Sequence, residues 1–112
     1  MGRIVEIRTY RLKPGAADEY DRLFVEAAAP LLESAAIDVV AHGPSLGDPD
    51  GYVLIRAFDD LGQRDRSEAA FYGSEAWRAG PREQILALID SYLDVVLELD
   101  EATIDGLRQA RR

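Results

Sequence analysis

The chain has 112 residues, of which 47% are hydrophobic and 30% are charged, and it carries a formal net charge of −8 with no cysteine. This composition fits one globular domain and argues against disorder. The acidic balance, with Lys13 as the single lysine, argues against a nucleic-acid partner and an anionic membrane surface. The absence of cysteine excludes thiol catalysis and disulfides. No signal-like start and no membrane-length apolar run is present, so we expect a cytoplasmic protein.

The first part of the chain predicts a strand followed by a helix. Residues 3–12 alternate between two faces and are rich in β-branched side chains, which is typical of a strand. Pro14 and Gly15 then end it. Residues 16–35 carry apolar side chains at helical spacing, and Pro30 is expected to kink or split that helix because proline has no N–H to donate.

The middle of the chain predicts a β-hairpin. Residues 37–42 and 52–58 both have strand character, and the segment between them contains Asp48-Pro49-Asp50-Gly51. Proline fixes one backbone angle in such a turn, and glycine is expected to adopt the positive φ that other residues resist. The two strands should therefore pair directly.

The last part predicts helical segments and a final strand. Residues 61–72 are expected to form a helix that ends at Gly73, and a short turn then carries Trp77. A helix should restart at Gly80-Pro81 and place Ile85, Leu88, Ile89 and Tyr92 on its apolar stripe. Residues 93–99 have strand character.

This order of elements is β-α-β-β-α-β. It predicts an α+β, ferredoxin-like fold in which helices cover one face of a four-stranded antiparallel sheet. We expect residues 1–100 to form this single domain. Residues 101–112 are expected to form a polar C-terminal tail with weak helical character that buries little and is dispensable for folding.

The two faces of the predicted sheet differ in composition. One face is apolar and is the expected bed for the helices, with Val5, Ile7, Val39, Ala41, Val53, Ile55, Ala57, Val95, Leu97 and Leu99. The other mixes charges with apolar and aromatic side chains. Because a solvated face rarely needs Tyr10, Tyr52, Leu54 and Phe58 together, we predict that these four residues form the interface of a homodimer.

Several segments resemble the NIPSNAP family. They are Ile4-Val5-Glu6-Ile7-Arg8-Thr9-Tyr10 with Lys13-Pro14-Gly15, Leu54-Ile55-Arg56-Ala57-Phe58, Phe71-Tyr72-Gly73-Ser74-Glu75-Ala76-Trp77, and Gly80-Pro81-Arg82-Glu83. The resemblance runs through about residue 99. It implies the dimeric α/β-barrel superfamily, in which the sheets of two subunits close into one barrel. That superfamily includes cofactor-free monooxygenases, haem proteins, isomerases and degradative enzymes, so the resemblance implies no single activity.

No residue set in the sequence predicts a metal site or an organic cofactor. His42 is the only histidine, and no partner ligands stand at recognisable spacing. It is either a general base in a ligand site or a strand histidine in a polar network. Asp48 and Asp50 match only a fragment of a calcium loop and are better explained by the turn.

The strongest candidate for a binding site surrounds Gly73. Phe71, Tyr72 and Trp77 bring three aromatic rings to a break between helices, where they line a pocket for a small organic molecule or fill the core. His42 or Arg56 is the expected polar partner. Arg8 and Arg56 either bind an anionic ligand or pair with nearby acids.

Three functions remain open at this point. The protein binds a small organic molecule, or it is a cofactor-independent enzyme of the monooxygenase or isomerase kind, or it is a non-enzymatic protein-interaction module.

Overall fold

The structure is a computed structural model that describes residues 2–110. Its base is an antiparallel sheet in the order β2-β3-β1-β4, formed by β1 (Gly2–Leu12), β2 (Asp38–Pro44), β3 (Gly51–Phe58) and β4 (Ile89–Asp100). The central strands β1 and β3 pair from Ile4 opposite Phe58 to Arg11 opposite Gly51. This topology confirms the predicted ferredoxin-like α+β fold.

The helices are α1 (Ala17–Leu23), α2 (Ala29–Ser34), α3 (Leu61–Tyr72), α4 (Glu75–Arg78), α5 (Arg82–Leu86) and α6 (Glu101–Ala110). A π-helical segment, Phe24–Ala28, joins α1 to α2, and the N–H of Ala29 donates to the carbonyl of Phe24, five residues earlier. This widened turn stands directly before Pro30, as expected where a missing N–H interrupts the helical ladder. None of the helices within residues 2–110 is long and apolar enough to cross a lipid bilayer.

The predicted hairpin forms, but its glycine serves a different purpose. Gly51 donates its N–H to the carbonyl of Asp48 at 3.0 Å, and Asp50 donates its N–H to the Asp48 carboxylate at 2.9 Å. Gly51 is not among the described glycines with positive φ, so that expectation was wrong. A Cβ on Gly51 would stand 3.0 Å from the Cβ of Ser45, and the close approach of the loop explains the glycine instead.

The helix predicted to run past residue 86 is shorter than expected. Helix α5 ends at Leu86, and β4 begins at Ile89. The carbonyl of Leu88 accepts the N–H of Lys13 at 2.9 Å, and Tyr92 lies opposite Tyr10 on β1. Pairing with β1 therefore overrides the helical periodicity of this segment.

The helices α1 to α5 cover the mixed face of the sheet, so the prediction of which face they cover was wrong. Tyr10, Tyr52, Leu54 and Phe58 are at most 8% exposed and belong to one core with Tyr20, Phe24 and Phe71 of the helical layer. Their expected role at an interface between subunits is corrected accordingly, because the helices of their own chain cover them. The charged residues of this face, Glu6 and Arg56, pair with each other and with Arg64 of α3 beneath the helices.

The opposite face of the sheet is covered in part by α6, which contradicts the expectation of a tail that buries little. Ile104 is fully buried in a second core with Val5, Val40, Ala41, Ile55 and Ala57, and Leu107 packs against the same cluster. Asp100 caps the helix by accepting the N–H of Thr103 at 2.8 Å. Arg108 holds Asp38 with two hydrogen bonds of 2.8 and 3.1 Å.

The rest of that face carries apolar side chains at the surface. Leu93, Val95 and Leu97 of β4 are 75%, 54% and 41% exposed. Ile7 and Val53 share their face, since Ile7 lies opposite Val95 and Thr9 lies opposite both Leu93 and Val53. We refer to Ile7, Val53, Leu93, Val95 and Leu97 as the open face.

Candidate functional site

A cavity of about 660 Å³ lies between the helical layer and the sheet. Its floor comes from β1, β3 and the start of β4, and its walls and roof come from the helices. A volume of this size is typical of pockets that enclose a small organic molecule. The lining residues include Arg8, Tyr10, Tyr20, Phe24, Ala28, Leu54, Glu68, Phe71, Tyr72, Trp77, Arg82, Ile85, Asp90 and Tyr92.

Three aromatic rings form one wall of the cavity. The ring centroids of Phe71, Tyr72 and Trp77 are 5.0 to 5.4 Å from one another, and Tyr72 meets both of its neighbours edge to face. The chain can bring them together because α3 ends before Gly73 and α4 restarts at once under the cap of Ser74, whose hydroxyl accepts the N–H of Trp77 at 3.2 Å. That these rings bind a ligand stays a prediction.

The hydroxyl of Tyr72 marks the polar end of the cavity. It accepts a hydrogen bond from Nη1 of Arg56 at 2.9 Å and a longer one from Nη1 of Arg8 at 3.4 Å. The other nitrogens of Arg8 donate to both oxygens of Asp94 at 2.7 and 3.1 Å, and its guanidinium lies 4.5 Å from the ring centroid of Tyr92. Because two cationic donors fill its acceptor positions, the Tyr72 hydroxyl can bind a further group only by donating its own hydrogen.

Behind Tyr72 lies a group of six charged residues, which we call the charge cluster, and three of them, Glu6, Arg8 and Arg56, are buried. Its members are Glu6, Arg8, Arg56, Arg64, Glu68 and Asp94. The side chains of Glu6 and Arg56 are fully buried. Glu6 accepts from Nε of Arg56 at 3.0 Å, from Nη2 of the same guanidinium and from Nε of Arg64 at 2.9 Å. Nη2 of Arg64 also lies 2.8 Å from Glu6 in an ion pair. Such dense pairing offsets much of the cost of removing these ions from water.

The two glutamates of the cluster have opposite pKa shifts. Burial raises the pKa of Glu68 to about 7, and its hydrogen bond with Glu6 adds to the rise. Burial also acts to raise the pKa of Glu6, but the hydrogen bond from Glu68 and the charge of Arg56 outweigh it and lower that pKa to about 2. Near neutral pH, Glu6 is therefore the carboxylate and Glu68 is the carboxyl group that exchanges a proton.

His42 lies outside the cavity lining, in a separate polar chain at the edge of the helical layer. Its Nδ1 is 2.9 Å from the hydroxyl of Tyr52, which donates its single hydrogen to Asp21 at 2.5 Å. Nδ1 of His42 must therefore carry a hydrogen and donate to Tyr52. The ring also packs 4.6 Å from that of Phe24. The structure thus separates His42 from Phe71, Tyr72 and Trp77 and brings Arg8 and Arg56 to Tyr72 instead.

Glu68 and Arg64 were not singled out in the sequence. A signal was available, since Arg64, Glu68 and Tyr72 recur at intervals of four on α3 and thus share one helix face. Three polar residues on that face are as easily explained by solvent, and only contact with Glu6 and Arg56 of the sheet shows otherwise. Among residues 2–110, no group of three histidine, cysteine or acidic side chains stands close enough to hold a metal ion.

The fold and the cavity together define the chain as a ferredoxin-like α+β domain with an aromatic pocket between helices and sheet. The model of the NIPSNAP family matches residues 5–96, and the chain belongs to that family. No curated protein matches the chain.

Solved structures agree with the family assignment. A NIPSNAP family protein of unknown function from Agrobacterium tumefaciens is 26% identical, with a TM-score of 0.80 over 88% of both chains. A NIPSNAP domain protein from Burkholderia xenovorans is 20% identical, with a TM-score of 0.76 over 84% of this chain and 91% of that one. A putative antibiotic biosynthesis monooxygenase from Nitrosomonas europaea shares the fold at 14% identity, with a TM-score of 0.63 over 84% of this chain and 95% of that one.

Proposed function

We propose that this NIPSNAP protein binds a small organic molecule with a flat apolar body and a polar head in the cavity between helices and sheet. The observation that carries the proposal is the combination of aromatic walls with a few polar and charged groups, among them Tyr72 and Arg8. Tyr10, Tyr20, Phe24 and Trp77 surround the apolar part, and the Tyr72 hydroxyl and Arg8 stand together at the other end. Ligand sites characteristically combine an apolar lining with a few convergent polar groups that orient the ligand.

The only tryptophan of the chain makes this proposal directly testable. Trp77 forms part of the cavity wall and is 7% exposed, so a molecule that enters the cavity contacts its ring. Titration with 2-naphthamide, a flat neutral molecule, is expected to change the Trp77 fluorescence with saturation. Ala28→Leu places a larger side chain in the cavity roof and should weaken binding about tenfold or more, which corresponds to about 1.4 kcal/mol.

The matched control is Ala69→Leu, on the exposed surface of α3, which should bind as the unaltered protein does. Both variants should keep the far-ultraviolet circular dichroism of the parent. A fluorescence response that is linear in 2-naphthamide, or equal in Ala28→Leu and Ala69→Leu, would show that the cavity is not the binding site.

We further propose that the protein is a homodimer whose subunits pack through their open faces. Support comes from the exposure of Leu93, Val95 and Leu97, which form a continuous apolar surface with Ile7 and Val53 on the side that the helices leave uncovered. A surface of this kind is unusual on a monomer. Two copies that bury it together are expected to cover more than about 1,000 Å².

Val95→Asp tests this interface. A carboxylate at the centre of an apolar contact has no partner, so the variant should sediment as a monomer at micromolar concentrations at which the unaltered protein sediments as a dimer. Val25→Asp is the matched control, because Val25 is similarly exposed at 49% but lies in the helical layer. Analytical ultracentrifugation that finds a monomeric parent protein, or an equal effect of both substitutions, would refute the open-face dimer.

A further inference from the structure

The charge cluster is electrically balanced only when all its acids are ionised. Arg8, Arg56 and Arg64 bring three positive charges, and the carboxylates of Glu6, Glu68 and Asp94 bring three negative ones. When Glu68 takes up a proton, one positive charge is in excess. That excess lies beside the polar end of the cavity, where Arg8 and Glu68 both form part of the lining.

Glu68 is held more loosely than the other two acids. Its oxygens lie 3.3 Å from Nη2 of Arg56, 3.6 Å from Nε of Arg64 and 3.7 Å from Nη2 of Arg8. Glu6 and Asp94 each accept hydrogen bonds from guanidinium nitrogens at 3.1 Å or less. Protonation of Glu68 therefore disrupts fewer hydrogen bonds than protonation of Glu6 or Asp94 would. The side chain of Glu68 is 14% exposed and forms part of the cavity lining.

We propose that the cavity takes up its ligand as a monocarboxylate anion together with one proton, which Glu68 holds while the anion occupies the polar end beside Arg8 and Tyr72. This inference rests on the proposed binding function and deepens it by naming the ligand class. The bound anion replaces the negative charge that Glu68 gives up, so the cluster and ligand together remain balanced. No bond other than the O–H of Glu68 is made or broken.

The electrostatic surroundings of Glu68 agree with this exchange. The charged groups in contact with Glu68 are Glu6, Arg8, Arg56 and Arg64, from β1, β3 and its own helix. Asp94 and Tyr72 bond to those arginines, and Arg82 and Asp90 line the same cavity. The pKa of Glu68 is already raised to about 7 by burial and by Glu6. A second anion at Arg8 raises it further, because a like charge nearby disfavours the ionised carboxyl. Binding must therefore draw a proton from solution.

The test compares 2-naphthoate, which is an anion at and above pH 6, with the neutral 2-naphthamide of the same shape. Trp77 fluorescence measures affinity, and calorimetry in buffers of different ionisation enthalpy measures proton uptake. With a pKa of about 7 for Glu68, binding of 2-naphthoate at pH 7 should take up about half a proton. Its affinity should fall by about thirtyfold between pH 6 and pH 8.5, while that of 2-naphthamide should stay constant.

Glu68→Gln removes the titrating group and keeps its shape. This variant should bind 2-naphthoate without proton uptake and with the same affinity at pH 6 and pH 8.5, whereas Glu33→Gln, an exposed control on α2, should behave as the parent. If Glu68→Gln does not fold, the number of protons that the unaltered protein takes up on binding 2-naphthoate is sufficient to test the inference. Binding of 2-naphthoate without proton uptake, or of 2-naphthamide alone, overturns this inference and leaves the binding function standing. If neither compound binds, both fail.

Discussion

Arg56→Met is expected to lower the free energy of unfolding by about 3–5 kcal/mol, the usual cost of removing one partner from a buried ion pair. Arg56 is fully buried, and its guanidinium donates to Glu6 and to the hydroxyl of Tyr72. Its loss leaves the buried carboxylate of Glu6 with Arg64 as its main partner. Urea denaturation at fixed protein concentration, which keeps any effect of association constant, measures the change.

The pH dependence of this loss is a second signature. The pKa of Glu6 is lowered to about 2 against burial, through the hydrogen bond with Glu68 and the charge of Arg56. A lowered pKa stabilises the fold above the ordinary value of about 4.5 and loses that contribution as the pH falls towards 2. Arg56→Met loses part of the stabilisation that comes from the lowered pKa of Glu6. The difference in the free energy of unfolding between the variant and the parent protein should therefore be smaller at about pH 4 than at pH 7.

Arg22→Met is the matched control for Arg56→Met. Arg22 is exposed on α1 and pairs loosely with Glu26 at 3.9 Å, so its replacement should change the free energy of unfolding by less than about 0.5 kcal/mol. An equal decrease in the free energy of unfolding in both variants would contradict the stabilising role of the pairing between Arg56 and Glu6. So would a decrease in Arg56→Met that does not depend on pH.

Ile104→Ala should lower the free energy of unfolding by about 2–5 kcal/mol, because it opens a cavity beneath α6. Ile104 is fully buried against Val5 and Ala57, which belong to the two central strands of the sheet. Truncation after Asp100 should cost at least as much, since it also removes Leu107 and the paired hydrogen bonds of Arg108 to Asp38. Thermal and urea unfolding of the three proteins measure both effects.

Leu61→Ala provides the matched control for Ile104→Ala. Leu61 is 54% exposed at the start of α3, so its truncation should cost less than about 0.5 kcal/mol. A chain that ends at Asp100 and unfolds like the complete protein would restore the original expectation of a dispensable tail.

Local patterns in the sequence predict the elements and their order well. The alternation in residues 3–12, the Asp48-Pro49-Asp50-Gly51 turn and the break at Gly73 each act within a few residues, so their effects can be read without knowledge of distant contacts. The aromatic wall of the cavity belongs to the same group, because Phe71, Tyr72 and Trp77 lie on both sides of one helix break.

Long-range contacts decide what the local patterns leave open. Ile89 and Tyr92 fit a helical stripe, but pairing with β1 makes them strand residues. Residues 101–110 contain only a few large apolar side chains, yet one of them, Ile104, reaches a gap in the second core and docks the helix. In both cases the burial or pairing gained from distant residues outweighs the local preference.

Local sequence patterns are enough to predict the ferredoxin-like order of strands and helices, the family and the aromatic cluster around Gly73, because each depends on neighbouring residues. Which face of the sheet the helices cover depends instead on contacts between distant segments. The charges of Glu6 and Arg56 argue against cover by helices of the same chain until Arg64 and Tyr72 of α3 supply their partners. An apolar face is expected to be buried, yet Leu93 and Val95 remain at the surface. Whether a charge is buried depends on the partners that a distant segment brings to it, and strand alternation carries no information about those partners.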